Sequence, residues 1–133
     1  MINFTLYTAN SVGNEKNSLF PTKAVVTDKI SLIQAVQFDH VTAEYKNNYR
    51  KSDNFIQSDV IPLDCDNDHS DNPSDWITSL DVAMQFPDVA FAVTYSRNHN
   101  KVKGDKAARP RFHVYFPITP VTDKDEYVRL KQQ

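Results

Sequence analysis

The stretch Asp59-Val60-Ile61-Pro62-Leu63-Asp64-Cys65-Asp66 decides how the chain is read. It is an apolar run that ends in two carboxylates one residue apart. In an extended strand, side chains at i and i+2 point to the same face. Asp64 and Asp66 then stand roughly 7 Å apart along the strand, a spacing at which two carboxylates can share divalent cations. Pro62 lacks a ladder donor and points to an edge position or a local irregularity. The alternative is a pair of surface aspartates that opens the polar loop at residues 67–71.

A second stretch, Arg111-Phe112-His113-Val114-Tyr115-Phe116, alternates strictly and is the clearest strand in the chain. Phe112, Val114 and Phe116 form a core face. Arg111, His113 and Tyr115 share the other face, where a guanidinium beside an imidazole suits phosphate oxygens, unless that face simply meets solvent. Arg109 adds a cation just upstream. Between the two stretches, an apolar run over residues 89–95 ends in Ser96 and Arg97. A basic loop over residues 98–110 follows, with Lys101, Lys103, Lys106 and Arg109. Such a loop can grip a nucleic-acid backbone or merely stay solvated. Upstream, Tyr45-Lys46-Asn47-Asn48-Tyr49-Arg50-Lys51 mixes rings, amides and cations. That mixture suits single strands, where rings stack on bases and cations follow phosphates, and a helix end with a polar turn would explain it too.

Composition narrows the classes. A chain of 133 residues is long enough to bury a core as one domain. With 40% hydrophobic and 24% charged residues, it reads as soluble and globular rather than disordered. Its two glycines, Gly13 and Gly104, lie too far apart for a Walker A loop or a G-x-G-x-x-G turn. One cysteine, Cys65, excludes an intrachain disulfide and any C-x-x-C site. The N-terminus, MINFTLYTAN, lacks the basic and apolar regions of a secretory signal, and no apolar run approaches a membrane span. A free thiol without a signal implies a cytoplasmic protein. Net charge is −2, but the distribution is uneven. Residues 59–96 hold eight aspartates and no Lys or Arg, whereas residues 97–111 hold six basic residues against Asp105. A cation site beside a polyanion site would need both.

The pattern along the chain predicts an α+β fold, a mixed sheet with flanking helices in the order β-α-α-β-α-β-β-α. The expected elements are a strand at residues 2–7, a loop at 11–29, and helices at 31–38, capped by Ser31, and at 41–47. A polar loop at 49–58 and a strand at 59–66 follow. Asn72-Pro73 opens a helix with an apolar stripe of Trp76, Ile77, Leu80, Ala83 and Met84, stopped by Pro87. A buried strand at 89–95, the strand at 111–116 and a helix at 123–132, capped by Thr122, complete the chain.

The order of these features resembles the archaeo-eukaryotic primase superfamily, in particular the primase-polymerase domains of phages and mobile elements. The matching text is EYKNNYRKSDNFIQSDVIPLDCDND (residues 44–68), FAVTYSRNHN (91–100) and ARPRFHVYFPI (108–118). Asp64 and Asp66 match the family's acidic strand. His113 matches its small-x-His strand, although Arg111 stands at the small position. The family's third carboxylate has no counterpart here before the final helix, where Asp123, Asp125 and Glu126 lie, so the chain reads as the N-terminal part of a longer catalytic domain.

The resemblance implies a palm related to RNA-recognition-type modules and a template-directed nucleotidyltransferase, a DNA primase or polymerase. Asp64 and Asp66 would hold two Mg²⁺ or Mn²⁺ ions, one activating a 3′-hydroxyl and one stabilising the departing pyrophosphate. With His113 they form the expected catalytic set. Ser96, Arg97, Arg109, Arg111 and His113 would bind the incoming nucleoside triphosphate. Lys46, Arg50, Lys101, Lys103 and Lys106 would hold a single-stranded DNA template, and a helicase domain further along the same parent chain is a natural companion. Two other classes compete: a non-catalytic single-strand-binding module, and a metal-dependent nuclease. His40, His69, His99 and His113 are too widely spaced for the His-x-His pair of a rolling-circle endonuclease.

Overall fold

The structure, a computed structural model, describes residues 3–132. Its elements are β1 (Phe4–Thr8), β2 (Thr22–Val26), α1 (Lys29–Val36), β3 (His40–Val41), β4 (Glu44–Tyr45), β5 (Phe55–Cys65), α2 (Ser79–Gln85), β6 (Ala92–Tyr95), β7 (Phe112–Val121) and α3 (Lys124–Lys131). The class is α+β. In place of one mixed sheet there are two antiparallel sheets, ordered β2-β1-β3 and β4-β5-β7-β6. The link from β6 to β7 carries no helix, so the chain returns beside itself in the antiparallel sense. Among the described residues, no helix is long and apolar enough to cross a membrane. The chain forms two compact units, one of residues up to 61 together with residues from 116 onward, the other of residues 62–115.

In the first unit, β1 buries Phe4, Leu6 and Thr8 by simple alternation. Ile2, the expected start of this strand, lies outside the described residues. β2 occupies part of the expected loop at 11–29. As an edge strand beside β1, in the register Leu6↔Ala24, it buries only Val26 fully, and so its alternation is faint. α1 starts earlier than its apolar spacing suggests. Asp28 is the cap, and Ser31 is the third helical residue, closing a reciprocal capping box. Leu32 and Ala35 face inward, while Ile33 is exposed. The helix expected at 41–47 is instead β3, β4 and a 3₁₀ turn at Lys46–Asn48, in which Asn47 and Asn48 have φ of 56° and 59°. Two successive left-handed residues cannot continue an α-helix, and asparagine tolerates that conformation well. α3 is capped by Asp123 rather than Thr122. The buried Tyr127 pins α3 to the sheet: its hydroxyl donates to the Val60 carbonyl (2.8 Å) and meets Thr42 Oγ1 (2.9 Å).

In the second unit, Asn72 and Pro73 open only a 3₁₀ turn, Pro73–Asp75. α2 starts afresh at Thr78, which forms a capping box with Asp81. This later start turns the helix so that Val82 is buried and Leu80 and Met84 of the expected stripe are exposed. β6 is shorter than expected and only half-buried, because it is the edge of its sheet. It pairs Thr94 with His113 and Tyr95 with Phe112. Phe112, Val114 and Tyr115 of β7 are all buried, so the Tyr115 position of the anticipated polar face is core.

The Asp28 cap gives a pH signature. The Ser31 backbone N–H, then the Ser31 hydroxyl, hold the Asp28 carboxyl below its ordinary 3.8. A depressed carboxyl contributes stability above the unfolded value and loses it as pH falls through the folded one. Asp28→Asn keeps a capping oxygen but does not titrate. Its urea midpoint should therefore fall less steeply than that of the unsubstituted chain between about pH 5 and pH 2. Equal slopes would show that the cap contributes nothing to acid stability.

Candidate nucleotide and metal site

β5 ends at Cys65, and Asp66 is the first residue beyond it. The buried side of β5 changes along its length: Ser58 and Val60 are buried, Leu63 and Asp64 are both exposed, and beyond them Cys65 is buried between the exposed Asp64 and Asp66. Burial, reinforced by the Asp64 and Asp66 charges, raises the Cys65 thiol pKa and lowers its thiolate fraction. On β7, His113 Nδ1 lies 3.5 Å from Asp64 Oδ1, with the side chains 42% and 70% exposed. A polar contact this exposed adds little stability, so it is not a device for holding the fold. Behind it, burial raises the pKa of Tyr115, moderated by a hydrogen bond with the Thr94 side chain, while the Asp64 charge raises it further.

Asp64 and Asp66 also line a cavity of about 380 Å³, walled by Leu63, Cys65, Ile77, Val82 and Phe86, with Asn67, His69, Asp81 and Gln85 completing it. That volume suits a small ligand. No Lys or Arg lines it. Asp81 is engaged in the α2 cap, where it accepts from the Thr78 N–H (2.7 Å), and Asp66 Oδ1 accepts from the Asp68 N–H (3.0 Å). A polyphosphate entering here would meet carboxylates and needs cations with it. Among the described residues, no group of three or more His, Cys, Asp or Glu is placed to hold a metal ion. Asp64 and Asp66 supply carboxylate oxygens, the donor type that Mg²⁺ takes through one or two carboxylates together with substrate phosphates and water.

The cations anticipated for the nucleotide are placed differently. Arg109 is 1% exposed and fully engaged within the protein, which corrects its assignment to a triphosphate. Its Nη1 donates to the carbonyls of Asn67 and Ser70 (both 2.9 Å), Nε to that of Ala107 (3.1 Å) and Nη2 to Asp71 (3.0 Å). The guanidinium also lies 5.0 Å from the centre of the Trp76 ring, whose N–H donates to the Ser70 carbonyl. Asn67, at φ 58°, completes this lock: its amide donates to the Ile77 and Pro110 carbonyls and accepts from the Ile77 N–H. Arg111 is also buried, 2.8 Å from Asp68 Oδ1, rather than on an open face. The Ser96 hydroxyl accepts from the Asn98 N–H (3.0 Å), a local turn contact.

Arg97, Lys101 and Lys103 are exposed, while Lys106 lies 3.5 Å from Asp68. Lys46 is exposed in the other unit. There too, Arg50 sits 5.4 Å from the Phe20 ring centre and reaches the Asn17 carbonyl at 3.4 Å. Asp68 is the residue that sequence reading passed over. Its only signal was a third acid at i+4 from Asp64, two residues beyond the pair. Comparison with protein-family models, curated proteins and solved structures finds no match.

The Arg109 lock has a measurable consequence. Arg109→Met leaves the Asn67 and Ser70 carbonyls without their donor and should cost roughly 2–4 kcal/mol in urea unfolding. Asp71→Asn should cost little, because the Asp71 side chain is 92% exposed and returns to water. Equal losses from the two variants would mean that the ion pair, not the carbonyl contacts, carries the stability.

Proposed function

We propose that this chain carries the cation- and nucleotide-binding part of a template-directed nucleotidyltransferase, of the primase-polymerase kind that its motifs resemble. The observation that carries this reading is the meeting of Asp64 and His113 at 3.5 Å, with Asp64 and Asp66 both lining one cavity. In this reading, Asp64 and Asp66 hold divalent cations, and His113, steadied by Asp64, positions the phosphates of a nucleoside triphosphate. Bound Mg²⁺ or Mn²⁺ would supply charge neutralisation of the triphosphate and activation of a 3′-hydroxyl. The protein's own work is then positioning and electrostatics, which dominate phosphoryl transfer. Apolar walls beside the acidic rim would offer a surface for a base. The exposed Arg97, Lys101 and Lys103 remain available to a single-stranded DNA template.

The acidic rim makes cation and nucleotide binding interdependent. Calorimetry should show a nucleoside triphosphate binding with Mn²⁺ present and at least about tenfold more weakly without it. The double variant Asp64→Asn, Asp66→Asn should lose both metal and metal-dependent nucleotide binding while keeping its circular dichroism, because both side chains are exposed. Unchanged Mn²⁺ binding in that variant would remove the metal assignment. Salt-sensitive single-strand binding that ignores metal, with no nucleotide bound, would favour a non-catalytic module. Cleavage of DNA without nucleotide would favour a nuclease.

A further inference from the structure

Arg109 and Arg111 are two residues apart and equally buried, yet they differ in one respect. Arg109 places its donors on carbonyls and a carboxylate with good geometry. Arg111 is 3% exposed, and beyond its ion pair with Asp68 none of its three guanidinium nitrogens has a partner. Its Nη1 is 2.8 Å from Asp68 Oδ1, close enough for strong attraction but without the N–H directed at the oxygen. Asp68 Oδ1 is likewise without a hydrogen bond. Among the described residues, these four atoms are the only buried side-chain polar atoms left so. Buried guanidinium donors are normally satisfied, and a set that is not marks a strained or functional place.

The surroundings have the character of an anion site. Lys106 Nζ lies 3.5 Å from the same Asp68 oxygen, so two cations converge on one carboxylate. The Asp68 side chain is 28% exposed and therefore borders solvent. Its backbone follows Asn67, which Arg109 and the Asn67 amide hold fast. The side chain can thus turn outward without the loop moving. That turn leaves a planar fork and an ammonium without their carboxylate, a combination that matches the several oxygens of a phosphoryl group better than it matches one misaligned carboxylate.

We propose that Arg111 and Lys106 form a phosphoryl-binding site in which the Asp68 side chain is the resident counter-ion, displaced when a phosphoryl group binds. The phosphoryl group can belong to a polyphosphate or to the backbone of a single strand. Only the first source rests on the nucleotidyltransferase reading. Arg111 lies two residues from His113, so an occupied site would stand about 7 Å along the chain from the Asp64–His113 contact. Asp68 acts as a competitor, and its fractional occupancy lowers the apparent affinity by the fraction of time the site is open.

The test uses the whole chain in the presence of a chelator, so that Asp64 and Asp66 can add nothing through metal. Binding of inorganic tripolyphosphate and of a short single-stranded oligonucleotide is measured by calorimetry, and the thermal midpoint is followed with each. If Asp68 holds the site about nine-tenths of the time, Asp68→Asn tightens binding roughly tenfold and enlarges the ligand-induced rise in midpoint. Adding Arg111→Gln in the same background abolishes both gains. Gain with tripolyphosphate alone assigns the site to a polyphosphate, gain with the oligonucleotide alone to a phosphodiester backbone, and either supports the proposal. Should Asp68→Asn unfold the chain, restoration by either ligand supports the site, and no restoration overturns it. No gain in a folded Asp68→Asn, or a gain that survives Arg111→Gln, also overturns it. A failed anion test leaves the metal-dependent nucleotide result standing, and the reverse holds too.

Discussion

A buried guanidinium that has no route to water organises the second unit. Arg109 holds the carbonyls of Asn67 and Ser70, residues about forty positions away in sequence, and rests against Trp76. Without that donor fork, the loop after β5 would expose or orphan its carbonyls. Asn67 cooperates by accepting a left-handed backbone and using both ends of its amide. The chain therefore leaves β5 in one direction. Although Asp71 completes the guanidinium's partners, it is almost fully exposed, so the carbonyl contacts matter more than the ion pair.

The uneven charge along the sequence acquires a concrete meaning. The acidic run of residues 59–96 is answered in part by the basic run that follows it: Lys106 and Arg111 meet Asp68, and Arg109 meets Asp71. Burial pushes the Asp68 carboxyl up, but the Arg111 and Lys106 cations outweigh it and leave its pKa below the ordinary value. Three of the six cations in residues 97–111 are thus committed to aspartates within the same unit. The charge asymmetry that suggested a polyanion partner is partly an internal pairing, and Arg97, Lys101 and Lys103 are what it leaves on the surface.

Strands with strong alternation or apolar content were legible from the residues: β1, the end of β5 and the start of β7 fall where their patterns put them. Asp64 and Asp66 do share one face on either side of a buried Cys65, although the buried side of β5 changes parity between Val60 and Cys65. Local signals failed where tertiary context overrides them. Residues 41–47 carry helix-compatible spacing, but paired left-handed asparagines and the sheet partners of β3 and β4 win. β2 is nearly invisible because an edge strand need bury little. Caps were misplaced by one to three residues at α1 and α3, since Asp, Ser and Thr compete for the same role within one turn. The fate of Arg109 could not be read at all, because its acceptors are main-chain oxygens whose positions exist only once the loop is folded.

Cys65 supplies a built-in reporter. It is the chain's sole thiol, it is 8% exposed, and it lines the cavity between the two carboxylates. A small alkylating reagent can approach it through that cavity or when the end of β5 parts from its surroundings, so the labelling rate measures access to that end. A ligand seated in the cavity would slow the labelling without touching the sulfur chemically, which gives occupancy a covalent readout on the unmodified chain.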